Sequence, residues 1–461
     1  MPLNKRSDVV VDQSIELVAR TNEPSEEAVV NLVQKQEEEE LEDYKDGGFW
    51  GWATVVSSFL LNIAGLGYAN AFGVYQDFYV REYLTTYTSS QISWIGSTQT
   101  FLLQTVGLIA GPLFDSGYCH HLVAAGSFIF VISLLFLSFA QPEKFYQVFL
   151  AQGLGIGIGS SLCYLPSLAI HAHHFRQPHA RARAMGITVS GSSLGGILHP
   201  IMLNHLFNSF VAGLHILALV LLRTKYPKRV RAKLDNTEQG RVHDNSEDKE
   251  DHERKPIEIS VVIKKFIVDK PYVYFVFGMT LYETVFFFPS FYLQLDAITK
   301  GLDFTFAFYS LSILYGFSFI GRLVPGFLTR LLGVANMFVI STIGATILIF
   351  CMIAVRTVSG VVTFAAFYGL FSGGFATLIS PMLVLLSESP AELGARIGVC
   401  FTLTGLGSLF GPPIAGALLT SKYLWWRPII FSGSLCIIGC MAFTAVRVNL
   451  GKRMNGSFWI I

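Results

Sequence analysis

Charge is what this chain is short of. Asp, Glu, Lys and Arg make up only 14% of its 461 residues, against roughly 25% in a soluble chain that must cover its surface with them. Lipid rather than water therefore faces much of the molecule. Charge of one sign is missing too: 33 basic against 32 acidic side chains leave a net +1, which excludes a global field steering the chain toward nucleic acid or an acidic partner. Cysteine is sparse. The six present include no Cys-x-x-Cys pair, and all but Cys119 lie inside apolar runs, so neither a disulfide framework nor a zinc site is expected. The N-terminus lacks the apolar stretch of a cleavable signal peptide, so the first membrane span serves as the insertion signal. No Walker A or His-Glu-x-x-His motif occurs, and ATP-driven transport, the commonest hydrolases and a cofactor are not expected.

What is present is hydrophobic length: 52% of the residues are apolar. Stretches able to cross about 30 Å of hydrocarbon fall near 53–74, 92–114, 122–140, 147–170, 184–203 and 206–222. After a charged gap, others follow near 272–294, 305–328, 334–355, 360–386, 397–420 and 428–446. Six spans, a gap and six more predict an all-α membrane protein of twelve transmembrane helices in two six-helix bundles, the layout of repeat-built secondary transporters. Five regions follow. Residues 1–48 form a disordered acidic tail, with Glu37, Glu38, Glu39 and Glu40 just ahead of the membrane. Residues 49–224 form the first bundle, 225–270 a central loop, 271–447 the second bundle, and 448–461 a final tail. The tightest stretch is 184–222, where two spans and a turn just fit and the sixth span is at the short end of the permitted range.

Loops assigned to one side carry most of the Lys and Arg, among them Arg176, Arg181, Arg183, Lys225, Arg229, Arg330, Arg396 and Arg453. Those on the other side carry only Arg81, Lys144, Lys300, Arg356, Lys422 and Arg427. This bias puts both termini and the central loop in the cytosol of a multi-pass protein, with the plasma membrane as the expected site. Late in the central loop, Ile259, Val262, Ile263, Phe266 and Ile267 share one helical face. They read equally as an amphipathic surface helix or as an extension of the seventh span.

Several strings resemble the monocarboxylate transporter family of the major facilitator superfamily, especially its fungal branch. They are Asp46-Gly47-Gly48-Phe49-Trp50-Gly51-Trp52, Ser93-Trp94-Ile95-Gly96-Ser97, the run from Phe175 to Gly186 followed by Ser190-Gly191-Ser192-Ser193-Leu194-Gly195-Gly196, Gly321-Arg322 with Pro325-Gly326, and Thr404-Gly405 with Gly411-Pro412-Pro413. The resemblance covers roughly residues 46–446. It implies two helical halves working by alternating access on a small organic solute such as a carboxylate. Arg322 matches the family's substrate-recognising arginine. Asn70 stands where proton-coupled members carry a lysine, and Ser318 where they carry an aspartate. The loop between spans five and six is shorter than usual.

The residues themselves suggest where a solute binds. Glu283 sits mid-span, where a carboxylate costs about 2.5–3.5 kcal/mol unless it faces a cavity, finds a partner or is protonated. It is the candidate for both solute contact and proton coupling. Arg322 lies six residues inside the expected end of its span, and its planar fork suits a carboxylate. Asn62, Asn70, Gln104, Tyr164 and Gln294 each read either as cavity-lining groups or, more commonly, as interhelical hydrogen bonds, and Asn70, Gln104 and Tyr164 complete the expected solute site. His171, His173, His174 and His179 read as a solvated loop face rather than a metal site, and His199 as a buried histidine able in principle to relay a proton. Gly153/Gly157, Gly155/Gly159, Gly191/Gly195 and Gly407/Gly411 are small-xxx-small pairs that let helix backbones approach in lipid.

The residues favour a secondary carrier of a small solute in the bilayer, with facilitator and proton symporter both open. The alternative is a non-transporting nutrient sensor on the same fold. A central loop of about 45 residues is too short to hold a domain of ordinary size, which favours the carrier. Topology gives the first test. Cysteines introduced at Asn245 and Asn455 should be labelled only from the cytosol; external labelling at 245 alone would mean an odd number of spans within 184–222.

Overall fold

The computed structural model describes residues 47–175, 178–203, 268–387, 390–420 and 422–453, all of their regular structure helical. Helix α1 (Gly48–Tyr83) makes the first crossing. The second is shared by α2 (Ser89–Thr105) and α3 (Gly107–Asp115). Then come α4 (Cys119–Ser138), α5 (Phe145–Ala169) and α6 (Pro178–Leu203). The later set is α7 (Lys270–Thr299), α8 (Phe304–Leu332), α9 (Val334–Cys351), α10 (Val358–Leu386), α11 (Pro390–Leu419) and α12 (Trp426–Arg453). Among the described residues, nine helices are long and apolar enough to cross a membrane. The expected sixth span, the amphipathic stretch, most of the central loop and the tails apart from Gly47, Gly48 and 448–453 lie outside the described residues. Helix α6 runs parallel to α1, its Gly191 against Phe59 and its Gly195 against Ile63 and Gly67. It therefore heads away from the face where α1 begins, here called the near face, toward the opposite, distal face.

Several boundaries depart from expectation, because a helix satisfies its own backbone and need not stop where the hydrocarbon does. The first runs on to Tyr83 rather than 74, which brings Asp77 and Arg81 onto it. The eighth runs to Leu332, leaving Arg322 ten residues from the end rather than six. The last continues to Arg453, inside the expected tail. The second is broken at Val106 instead of continuous. Three helices that start at the distal face carry side-chain caps. Thr88 and Gln91 form a reciprocal capping box on α2, Asp303 accepts from Phe306 N at 2.9 Å on α8, and Thr357 accepts from Gly360 N at 3.1 Å on α10. These satisfy orphan N–H groups at the membrane boundary.

Apolar side chains such as Phe136, Phe327, Ile347 and Met441 point outward, where lipid covers them. Inside, contact is made by backbone. A Cβ on Gly195 would lie 2.7 Å from the Gly67 Cα, and one on Gly411 would overlap the Thr284 carbonyl oxygen. The small-residue pairs therefore bring α6 onto α1 and α11 onto α7. Gly191 to Gly195 also spells Gly-x-Ser-x-Gly, the letters of a hydrolase elbow. It lies mid-helix in α6 with no preceding strand, so the nucleophile-bearing turn is not formed.

The most extensive contacts between the earlier and later helices are α2 with α11, α6 with α8, and the distal half of α1 with that of α7. The packing can be tested at its tightest glycine. Gly411→Val should lower unfolding stability by about 1–3 kcal/mol or more, the usual cost of overpacking. Gly186→Ala, which meets nothing within 4 Å, should be neutral in the same thermal unfolding assay.

Candidate functional site

Helices α1 and α7 are both interrupted near mid-membrane. In α1 the chain turns at Gly65 and Ala71, leaving Leu66–Asn70 as a separate short helical piece. In α7 the break is at Phe287, just before Pro289, which has no N–H to return to the Val285 carbonyl. The polar residues singled out from the sequence gather around these breaks.

Arg322 of α8 is buried, and its Nη1 donates to the Val189 carbonyl at 2.9 Å and the Ser192 hydroxyl at 2.7 Å, both on α6. Its Nε has no partner. Asn70 donates to the Ser192 carbonyl at 3.1 Å, so Asn70 and Arg322 meet on the same serine. Beside it, Ser193 donates to Ser318 at 3.4 Å. Glu283 of α7 is also buried. Gln104 of α2 lies beside its carboxyl and accepts from Thr404 of α11 at 3.2 Å, while Glu283 Oε2 is left without a partner. Tyr164 of α5 lies within electrostatic reach of both Arg322 and Glu283. Tyr315 stands near Arg322 and Ser290. Among the described residues Arg322 and Glu283 form no ion pair with each other. Each keeps an unfilled polar atom in a low-dielectric interior, where leaving it so costs about 1–3 kcal/mol.

The remaining candidates are structural ties. Asn62 bonds Ser58 and Ser167, at 2.9 and 3.1 Å, joining α1 to α5. His199 meets the Ile63 carbonyl at 2.9 Å and the edge of Tyr68, joining α6 to α1. Gln294 lies at the distal closure, on Asp77. The expected solvated histidine face is corrected: His171 and His174 are buried. A short helical turn after α5 folds them back, with His171 Nε2 2.7 Å from the Thr188 hydroxyl and His174 3.5 Å from that of Thr54. Among the described residues no group of three or more His, Cys, Asp or Glu could hold a metal.

The chain matches the sequence profile of the Major Facilitator Superfamily over residues 52–354. It is 33% identical to the aspyridones efflux protein of Emericella nidulans, over 92% of this chain and 84% of that one. It is also 33% identical to an MFS-type transporter of Aspergillus niger, over 89% and 91%. The chain belongs to the major facilitator superfamily. Its fold is that of a solved peptide transporter POT, with TM-score 0.63 at 15% identity over 88% of this chain and 96% of that one. A solved nucleoside transporter NupG superposes with TM-score 0.62 at 15% identity, over 86% and 99%. These are transporters, not enzymes, and the match is to the superfamily rather than to its monocarboxylate branch.

In a transporter fold, interrupted helices at corresponding positions of two halves mark the binding region. Gly65-Leu66-Gly67 and Phe288-Pro289 were the signal for this in the sequence. Ser192, Tyr315 and Asp77 were not singled out. Nor was Arg396, read as a loop charge. It is fully buried, with Nη1 2.6 Å from Asp269 and 2.9 Å from the Leu386 carbonyl, over the ring of Tyr272.

His171, just past the end of the α5 crossing, supplies a pH test. Burial, aided by the neighbouring His174, holds its pKa down at about 4. Between there and the ordinary value near 6.5 the unfolded chain binds the proton and the folded one does not, so stability falls as pH drops through that window. Purified protein should lose roughly 1–3 kcal/mol from pH 7 to pH 4 through this group. His171→Gln should flatten that part of a thermal-unfolding profile against pH.

Proposed function

We propose that this transporter moves a small acidic organic metabolite by alternating access, and that its direction is export. One observation carries the reading. Arg322, Glu283, Gln104 and Tyr164, drawn from both sets of helices, are gathered at the breaks of α1 and α7, and the two charged groups keep unfilled hydrogen-bonding capacity. Arg322 Nε offers the donor for the solute's anionic group. Glu283 Oε2 offers a second contact, with Gln104 and Tyr164 orienting the solute between them. Asn70 acts one step back, by fixing the serine that Arg322 holds. Export is supported by the names of relatives: besides the aspyridones efflux protein, an agnestins efflux protein of Paecilomyces divaricatus is 31% identical over 86% of this chain and 87% of that one. The two six-helix bundles, the cytosolic termini, a plasma-membrane location and membership of the monocarboxylate branch belong to the same reading.

Reconstituted vesicles loaded with a panel of small aromatic and aliphatic carboxylic acids test it. Wild-type protein should release at least one acid, and neutral amide analogues should stay behind. Removing Arg322 should weaken binding by about 2–5 kcal/mol, the range for breaking a desolvated charge pair. Arg322→Lys should fail as well, since a point charge cannot reproduce the planar fork. Equal transport of acids and amides would overturn the carboxylate assignment.

Coupling is a separate measurement on the same vesicles. Asn70 cannot hold a proton, so if transport is proton-coupled Glu283 is the group that carries it. Glu283→Gln should then abolish the pH dependence of transport while sparing pH-independent exchange. Wild-type transport that does not vary with pH would make the carrier a facilitator and Glu283 a solute ligand alone.

A further inference from the structure

The distal face is closed, and one carboxylate stands at the centre of the closure. Asp77 lies in the distal part of α1 and is only 1% exposed. Arg81, one turn on, grips it with both arms of its fork, Nε to Oδ1 at 2.7 Å and Nη2 to Oδ2 at 2.5 Å. Gln294 of α7 then donates its Nε2 to the same Oδ2 at 2.8 Å. Gln294 is itself buried, and its Oε1 has no partner, so Asp77 alone orients the amide. Arg81 reaches across as well, its guanidinium 4.9 Å from the ring centre of Phe304 at the start of α8. Ser93 of α2 meets the Tyr292 hydroxyl of α7 at 2.5 Å, and Ser90 donates to the Pro413 carbonyl of α11 at 2.8 Å, tying α2 to both. Gly73 of α1 packs directly on the Ser290 carbonyl of α7.

We propose that Asp77 is the latch of this distal gate, holding α1 to α7 through Gln294 and releasing it when the carrier opens on that side. The chemistry suits a reversible device. An isolated carboxylate in the membrane interior would make opening costly by stranding a charge. Here Arg81 neutralises Asp77 from within its own helix, so parting from Gln294 leaves the ion pair whole. At the latch itself, opening therefore breaks one charge-assisted hydrogen bond and one cation–ring contact, while the bidentate pair keeps the acceptor aimed for reclosure. The latch is independent of which solute the central site takes and of the role given to Arg322.

Labelling reads it directly. Ser290→Cys, buried behind the latch, is the reporter in a Cys351→Ser background, which removes the exposed native thiol. In vesicles, the orientation of each molecule is set by a separate Ser359→Cys control at the distal start of α10. A membrane-impermeant maleimide applied from the distal face should label the reporter slowly in the otherwise unaltered chain. Gln294→Glu places like charges in contact and should raise the rate about tenfold or more, the population shift that follows loss of a charge-assisted hydrogen bond. Gln294→Leu, which keeps bulk without a donor, should move it the same way. Combining Gln294→Glu with Asp77→Asn restores a donor facing a carboxylate and should return labelling toward the starting rate. Size-exclusion profiles identify which variants fold. Unchanged labelling in folded Gln294→Glu and Gln294→Leu would overturn the latch, as would a double variant labelled as fast as Gln294→Glu alone.

Discussion

A guanidinium in a membrane interior must have somewhere to put its charge, and much of this structure is arranged around that requirement. Arg322 cannot snorkel to water from ten residues inside α8. It spends one nitrogen on the α6 backbone instead, at Val189 and Ser192. That contact joins helices from the two sets, so the state of Arg322 and the packing of α6 on α8 are linked. In the function proposed above, an anion taken at the unfilled Nε would share the guanidinium that ties α8 to α6, which would couple occupancy to that packing.

The same economy runs through the helix contacts. Lipid supplies no hydrophobic force to press helices together, so close backbone approach and interhelical hydrogen bonds carry the association. Gly191 and Gly195 bring α6 onto α1, and Gly407 and Gly411 bring α11 onto α7. Tyr272 donating to the Arg396 carbonyl and His199 bound to Ile63 fasten helices by polar contact.

Much of the site could be read from residue type and depth. Glu283 and Arg322 were conspicuous because ionisable groups are expensive in hydrocarbon, and the glycine pairs because their spacing is that of one helix face. Other features were hidden by the method of reading. Asp77 was missed because hydropathy ends the first span near 74, whereas the helix continues nine residues further. The histidines after α5 were taken for solvent-facing because they follow an apolar run beside arginines. A turn of helix carries His171 and His174 inward against α6 and α1. Arg396 looked like another cytosolic charge until Asp269, far away in the sequence, was found beside it.

The amino-acid sequence by itself determined that this is a helical membrane protein of transporter type. Apolar length and scarcity of charge leave the chain no other way to satisfy its backbone in a bilayer. It also singled out the few polar groups whose burial in hydrocarbon is costly. Which of them meet was decided only by the tertiary structure. Hydrogen bonds such as Asn70 to Ser192, Gln104 to Thr404 and Gln294 to Asp77 join residues more than a hundred positions apart. Periodicity reports which face of a helix a residue occupies. It carries no information on which other helix that face will find.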